Sequence, residues 1–115
     1  MEELEKAAIY RLHASFCKTL ADANRLLIIS ELGKGEVSVN ELAHRLGLSQ
    51  SNVSKHLALM REHGLAIGRR EGATIYYALS DASISEAIRL LKDVQMDQIE
   101  KQRTLVQMAS TEAKI

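Results

Sequence analysis

Residues 42–57 read Leu42-Ala43-His44-Arg45-Leu46-Gly47-Leu48-Ser49-Gln50-Ser51-Asn52-Val53-Ser54-Lys55-His56-Leu57. A helix that starts at Ser38, where Ser38 and Glu41 form a capping box, runs through Leu46. Gly47-Leu48-Ser49 makes a tight turn, and Ser49 caps the next helix, which runs to about His63 and stops at Gly64. Helix, short glycine turn, helix is the helix-turn-helix pattern. The second helix divides into faces: Val53, Leu57, Met60 and the following Leu65 are apolar and pack inward. Gln50, Ser51, Ser54 and Lys55 fall on the other side of its first two turns, and all are polar and compact. A recognition helix needs this division, because its N-terminal end offers donors and acceptors to base edges in the major groove. The free amides at that end also suit a phosphate.

On the C-terminal side, from Leu65, the apolar period shortens to that of strands. Leu65–Arg70 and Thr74–Leu79 flank Glu71-Gly72-Ala73, which reads as a β-hairpin carrying Arg69 and Arg70 at its tip. Such arginines can reach the sugar-phosphate backbone or a minor groove beside it, and each phosphate contact adds salt-dependent affinity without sequence information. On the N-terminal side, apolar residues recur at Leu4, Ala8, Leu12, Phe16 and Leu20, a drifting helical stripe over residues 2–20. Asp22 caps a second helix, Ala23 to Leu32, closed by Gly33 and Gly35; Glu36-Val37-Ser38 is a short extended piece. Asp81 or Ser83 caps a last long helix, 83–110, with Ile84, Ile88, Leu91, Ile99 and Val106 on its apolar positions. The fold class is therefore mainly α with a small β-hairpin, in one domain over residues 1–115. Helices 2–20 and 83–110 flank a helix-turn-helix at 38–63 and a hairpin at 65–79.

Composition narrows the class of function. The chain has 115 residues, 46% apolar and 26% charged, with fifteen basic side chains against fifteen acidic. That is enough for one modest core and does not suit disorder. The absence of proline and the 3% of aromatic residues favour helix. No apolar run approaches the ~18 uncharged residues of a membrane span. The acidic, amphipathic start Met1-Glu2-Glu3-Leu4-Glu5-Lys6 is not a secretion signal, and a lone cysteine, Cys17, fits a reducing interior. The expectation is a cytoplasmic protein. Residues 44–77 hold Arg45, Lys55, Arg61, Arg69 and Arg70 against only Glu62 and Glu71, so the middle third is locally positive and attracts a polyanion. No glycine-rich phosphate loop, paired carboxylates or nucleophile with a plausible base appears, which argues against an enzyme.

Three segments taken together resemble the ArsR/SmtB-type winged-helix repressors: Leu20–Ile29, Leu48–Leu57 and Arg69–Leu79, within a resemblance that covers about residues 8–92. It implies a homodimer formed by the first and last helices, binding a palindromic double-stranded DNA operator and repressing transcription until an inducer weakens binding. It places Gln50, Ser51, Ser54 and Lys55 at the DNA-reading positions and Arg69 and Arg70 on the wing. Asn52 and His56 on the same helix and Thr74 on the wing complete the candidate DNA-binding set, although the ordinary role for His56 is packing or hydrogen bonding and for His44 and His63 a solvated position. The residues themselves also favour a dimer. Two long amphipathic helices flank a core of about 60 residues, too small to cover both stripes. Leu4, Ala8, Leu12, Phe16, Ile88, Leu91 and Ile99 are the candidate interface residues.

The inducer is where this chain departs from its relatives. Metal-sensing members often carry Cys-Val-Cys at the start of the third helix, where this chain has Ser38-Val39-Asn40. Neither serine nor asparagine supplies the soft thiolate that such sites require. Other members build a zinc site from aspartate and histidines on the last helix, but the matching stretch has Asp81, Ser83, Val94 and Asp97, and residues 64–115 contain no histidine. No metal and no cofactor are expected; the inducer is an organic ligand, a protein partner, or nothing. His13 and Cys17, one helical turn apart, are the remaining sensor candidates, as a dimer-spanning His2Cys2 metal set or a redox thiol. The ordinary role for Cys17 is a small buried hydrophobe beside Phe16. The alternatives to a metal-independent repressor are a thiol- or metal-responsive repressor using these two residues, and a winged-helix module that binds protein.

Overall fold

The computed structural model describes residues 2–113, which form five helices and a three-stranded sheet. In chain order these are α1 (Glu2–Leu20), α2 (Ala23–Leu32), β1 (Val37–Ser38), α3 (Val39–Leu46), α4 (Gln50–Glu62), β2 (Ala66–Glu71), β3 (Thr74–Leu79) and α5 (Ser83–Ala113). Contacts divide the chain into two compact units, one running to Ser85 and one from Glu86. The second unit is the remainder of α5, a helix whose described residues from Glu86 are exposed apart from the half-buried Ile88. Among the described residues no helix is long and apolar enough to cross a membrane.

Local chemistry sets the helix ends. The Asp22 carboxylate accepts the Arg25 amide, Ser38 Oγ accepts that of Glu41, and Ser49 Oγ accepts that of Asn52, at 3.1, 3.2 and 3.1 Å. Each bond satisfies one of the free amides that every helix start leaves. The capping box expected at α3 is only half formed. Glu41 does not reach back to the cap; its carboxylate takes Arg45 one turn on, at 3.2 Å. Gly47 closes α3 with φ +66°, and the amides of Gly47 and Leu48 donate to His44 and Ala43. This paired return needs a left-handed residue, which glycine adopts without a Cβ penalty. The same pair of bonds ends α4, from Gly64 to Arg61 and from Leu65 to Met60. Gly33 serves a different purpose from the left-handed stop its position suggests. Its φ is −63°, and a Cβ there would lie 2.7 Å from the Ser85 Cβ, so the glycine is required by a close approach.

Three helices and the sheet enclose the core. Ile28, Ile29 and Leu32 of α2, Leu42 and Ala43 of α3, and Val53, Leu57 and Met60 of α4 are buried, with Val37, Leu65, Ala66 and Tyr77 from the sheet side. The sheet order is β1-β3-β2, antiparallel throughout, so the extended piece before α3 becomes an edge strand on the hairpin. Tyr77 faces Val37 on one side and Gly68 on the other, and its ring lies over Gly68, 3.2 Å from where a Cβ would sit. The hairpin loop is shorter than the sequence suggests, because β2 runs one residue later than expected. Pairing continues to Glu71 opposite Thr74, which leaves a two-residue loop, Gly72-Ala73. Arg69 and Arg70 consequently sit inside β2 and not at the tip.

Replacing Leu57, which is fully buried on α4, with alanine is expected to remove about 2–5 kcal/mol of stability. Denaturant unfolding followed by circular dichroism measures it, and a loss under 1 kcal/mol would contradict the packing described.

Candidate nucleic-acid interface

The exposure pattern of α4 follows the division read from its residues. Val53, Leu57 and Met60 point into the core, while Gln50, Ser51, Ser54, Lys55, Ala58, Arg61 and Glu62 are exposed. Four of the nine candidate DNA-binding residues thus form one outward ridge over the first two turns. Three others do not stand free. Asn52 is half-buried, its amide spent on the Ser49 cap and its Oδ1 enclosed without a hydrogen-bond partner. Thr74 is half-buried opposite Glu71. His56 is turned toward α2. Its Nδ1 lies 3.4 Å from Arg25 Nη1 and its Nε2 lies 3.9 Å from Asp22 Oδ2. Arg25 also donates through Nε to the Thr19 carbonyl, so one cluster joins the end of α1, the start of α2 and the middle of α4.

At the head of the ridge, Gln50 Nε2 donates to Asn40 Oδ1 on the first turn of α3. In the sequence Asn40 stands out only as a missing metal ligand. The signal that could have found it is its place beside a capping serine, one short helix before the ridge.

The basic residues of the middle third fare differently from one another. Arg45 is tied to Glu41 and, at 3.6 Å, to Glu31 of α2. Arg69 is tied to Glu36 and Glu71. Lys55, Arg61 and Arg70 make no ion pair among the described residues and are exposed. An anion approaching this surface therefore meets three unengaged cations per chain, fewer than the residue count suggests.

The candidate interface residues lie on two elements. On α1, Leu4 and Leu12 are 74% and 72% exposed, joined by Ile9 and Tyr10, while Ala8 and Phe16 are half-buried. On α5, Leu91 is 68% exposed and Ile99 39%, with Leu90, Val94, Leu105 and Val106 also exposed and Ile88 half-buried. Cys17 is exposed, not buried beside Phe16, and its Sγ lies 3.7 Å from His13 Nε2.

The Asp22 cap is also a titrating element. The Arg25 amide holds its carboxyl below the ordinary value of 3.8, with the Arg25 guanidinium and His56 acting in the same direction. A depressed carboxyl contributes stability above that ordinary value and loses it as pH falls through the folded-state value. Asp22→Ala should lower the melting temperature at neutral pH, and its difference from the parent should shrink as pH falls below 3.8. A difference that stays constant across that range would assign the effect to something other than the carboxylate.

Comparison with known proteins agrees with this geometry. Residues 22–67 match the family described as bacterial regulatory protein, arsR family. The nodulation protein NolR of Rhizobium meliloti is 39% identical over 93 residues, 81% of this chain and 76% of that protein. Reduced HlyU from Vibrio cholerae superposes with a TM-score of 0.68 at 38% identity, covering 82% of this chain and 97% of that one. A Mycobacterium bovis fragment described as a homodimeric winged helix-turn-helix DNA-binding domain gives a TM-score of 0.73 at 30% identity, covering 84% and 89%. The chain belongs to the arsR family of bacterial regulatory proteins and is a winged helix-turn-helix transcriptional regulator.

Proposed function

We propose that the chain acts as a homodimer that binds a palindromic operator through α4 and represses transcription there, without control through the family's usual metal sites. The observation that carries this reading is the outward ridge of Gln50, Ser51, Ser54 and Lys55 at the N-terminal end of a helix whose opposite face is locked in the core. Short hydroxyls and an amide there can approach base edges, and Lys55 adds a cation for a base edge or a phosphate. Arg70 on the wing supplies a second, sequence-independent anchor.

The dimer is supported by what the single chain leaves uncovered. Large apolar side chains recur along α1 and along α5, whose 31 residues extend about 46 Å at 1.5 Å per residue. Apolar faces of this kind are covered by association in soluble proteins. A two-fold pair would present two α4 ridges to one duplex, with half-sites about one helical turn apart. The metal-independent reading is supported by how Ser38 and Asn40 are employed. One caps α3 and the other accepts from Gln50, and hydroxyl and amide oxygens are poor ligands for soft metals.

Duplex affinity should fall by about tenfold or more between 50 and 200 mM salt, as phosphate neutralisation requires. A protein-binding module would show no duplex affinity at either concentration. Ser54→Ala with Lys55→Ala should weaken a selected operator more than random duplex, by about 1–3 kcal/mol per lost base contact. Equal weakening of both would count against base readout by this ridge. In a transcription assay on a template carrying the operator, added protein should lower the transcript; a rise would assign activation.

Leu91→Glu should leave the helical content intact and convert a dimer to monomers in sedimentation, since the side chain is 68% exposed in the single chain. If the variant still sediments as a dimer, the interface lies elsewhere.

A further inference from the structure

Arg89 of α5 is held as fully by Glu86 and Asp93 of its own helix, but Arg69 is held by a carboxylate thirty-three residues away in sequence. Nη2 donates to Glu36 Oε1 at 2.6 Å and Nε to Glu36 Oε2 at 3.3 Å, a two-point grip on one carboxylate. Nη1 donates to Glu71 Oε2 at 2.8 Å. The guanidinium carbon lies 4.9 Å from the centre of the Tyr76 ring. Strand pairing explains why these groups meet. Arg69 stands opposite Tyr76, and Tyr76 stands opposite Ser38. Glu36 and Glu71 lie two residues from Ser38 and Arg69, so the alternation of strands brings all of them to one face of the sheet. The side chain therefore starts on β2, crosses the central strand β3 over an aromatic ring, and ends on the residue that leads into β1.

We propose that Arg69 is a positioning residue that straps the wing to the body of the protein, and that Arg70 alone supplies the wing's contact with the DNA backbone. The inference rests on the DNA-binding reading above and refines which wing residue acts in it.

Charge and geometry both favour this division. Glu36, Arg69 and Glu71 together carry a net charge of −1, so the cluster repels a phosphate. To contact one, Arg69 would have to release two carboxylates, one of them held at two points. Each carboxylate bond also strengthens the protonated form of Arg69, and Arg69 holds the Glu36 carboxyl below its ordinary range. Arg70 has the opposite properties. Strand alternation turns it to the other face, it stands opposite Ile75 close to the hairpin loop, and it makes no ion pair among the described residues. The strap also meets a mechanical need. A two-stranded hairpin is marginal on its own, and β1 gives the third strand only two residues. An exposed ion pair contributes little as a rule, but a two-point grip that also bridges non-adjacent strands fixes the hairpin's direction.

The test uses the full chain with Glu36→Gln, Arg69→Gln, the double variant and Arg70→Gln, on a mixed-sequence duplex of about three helical turns. The logarithm of affinity is followed against the logarithm of salt concentration. Arg70→Gln should reduce the slope by about 0.9 per chain, close to 1.8 for a dimer. Arg69→Gln should leave the slope unchanged while lowering affinity by about three- to tenfold through loss of preorganisation. Glu36→Gln should do the same, and the double variant should be no worse than either single one. Amide hydrogen exchange on the DNA-free protein gives an independent readout: exchange in β2 and β3 should quicken equally in Glu36→Gln and Arg69→Gln and not in Arg70→Gln. A slope reduced as much by Arg69→Gln as by Arg70→Gln would overturn the proposal, as would tighter binding with a steeper slope in Glu36→Gln. Should the parent bind no duplex, the DNA-binding reading fails, and the exchange pattern still decides whether the strap exists. If Arg69→Gln does not fold, Glu36→Gln carries the comparison from the other end of the same contact.

Discussion

The burial of Val53, Leu57 and Met60 along one side of α4 is the constraint on which the other features depend. These three side chains are completely removed from solvent, and they fix the helix in rotation as well as position. With 3.6 residues per turn, fixing that face turns Ser51, Ser54 and Lys55 outward, while Gln50, in line with Leu57, is exposed as the first residue of the helix. A looser core would let the helix roll, and the polar ridge would no longer point one way. The apolar face thus controls the geometry of a surface it never touches.

Two turns carry that constraint to the neighbours of α4. The left-handed Gly47 reverses the chain in three residues, so α3 and α4 pack closely enough for Asn40 to reach Gln50. The matching pair of bonds after Met60 sends the chain into β2, and Ser80 returns it by bonding the carbonyls of Gly64 and Leu65. The wing is held at its root by backbone bonds and across its width by side chains, the latter centred on Arg69.

Much of this arrangement is legible in the residues, because it follows from local rules. Caps at Asp22, Ser38 and Ser49 and the inward trio of α4 follow from periodicity and hydrogen-bonding capacity, and helix boundaries agree closely with expectation. Pairing across long sequence separations is less legible. Nothing in the string shows that Glu36 faces Arg69, thirty-three residues on, or that Arg45 meets Glu31, so counting charges overstated the free positive surface. Glu41 forgoes the capping box because Arg45 offers it a charged partner one turn away. The hairpin loop is short for a similar reason: strand pairing takes in Glu71, whose place beside Gly72 suggests the turn. Asn52 looks like a groove-reading residue by type and spacing, and His56 fits either that role or the packing and hydrogen bonding it in fact has. Their positions on α4 fall between the buried trio and the ridge, which a helical wheel places at the margin and only packing can assign.

The use made of Ser38 carries a consequence for how sensing could arise on this scaffold. The same oxygen that starts α3 stands where the family resemblance puts a thiolate in metal-sensing members, and Asn40 two residues on accepts from Gln50, the first residue of the exposed ridge of α4. Acquiring cysteines at both places would surrender a helix-start bond worth roughly 1 kcal/mol and unfasten Gln50 at the same stroke. On this backbone, gaining thiolates at the start of α3 and keeping the exposed end of α4 fastened are opposed, and a lineage moving toward the first would need a new support for the second.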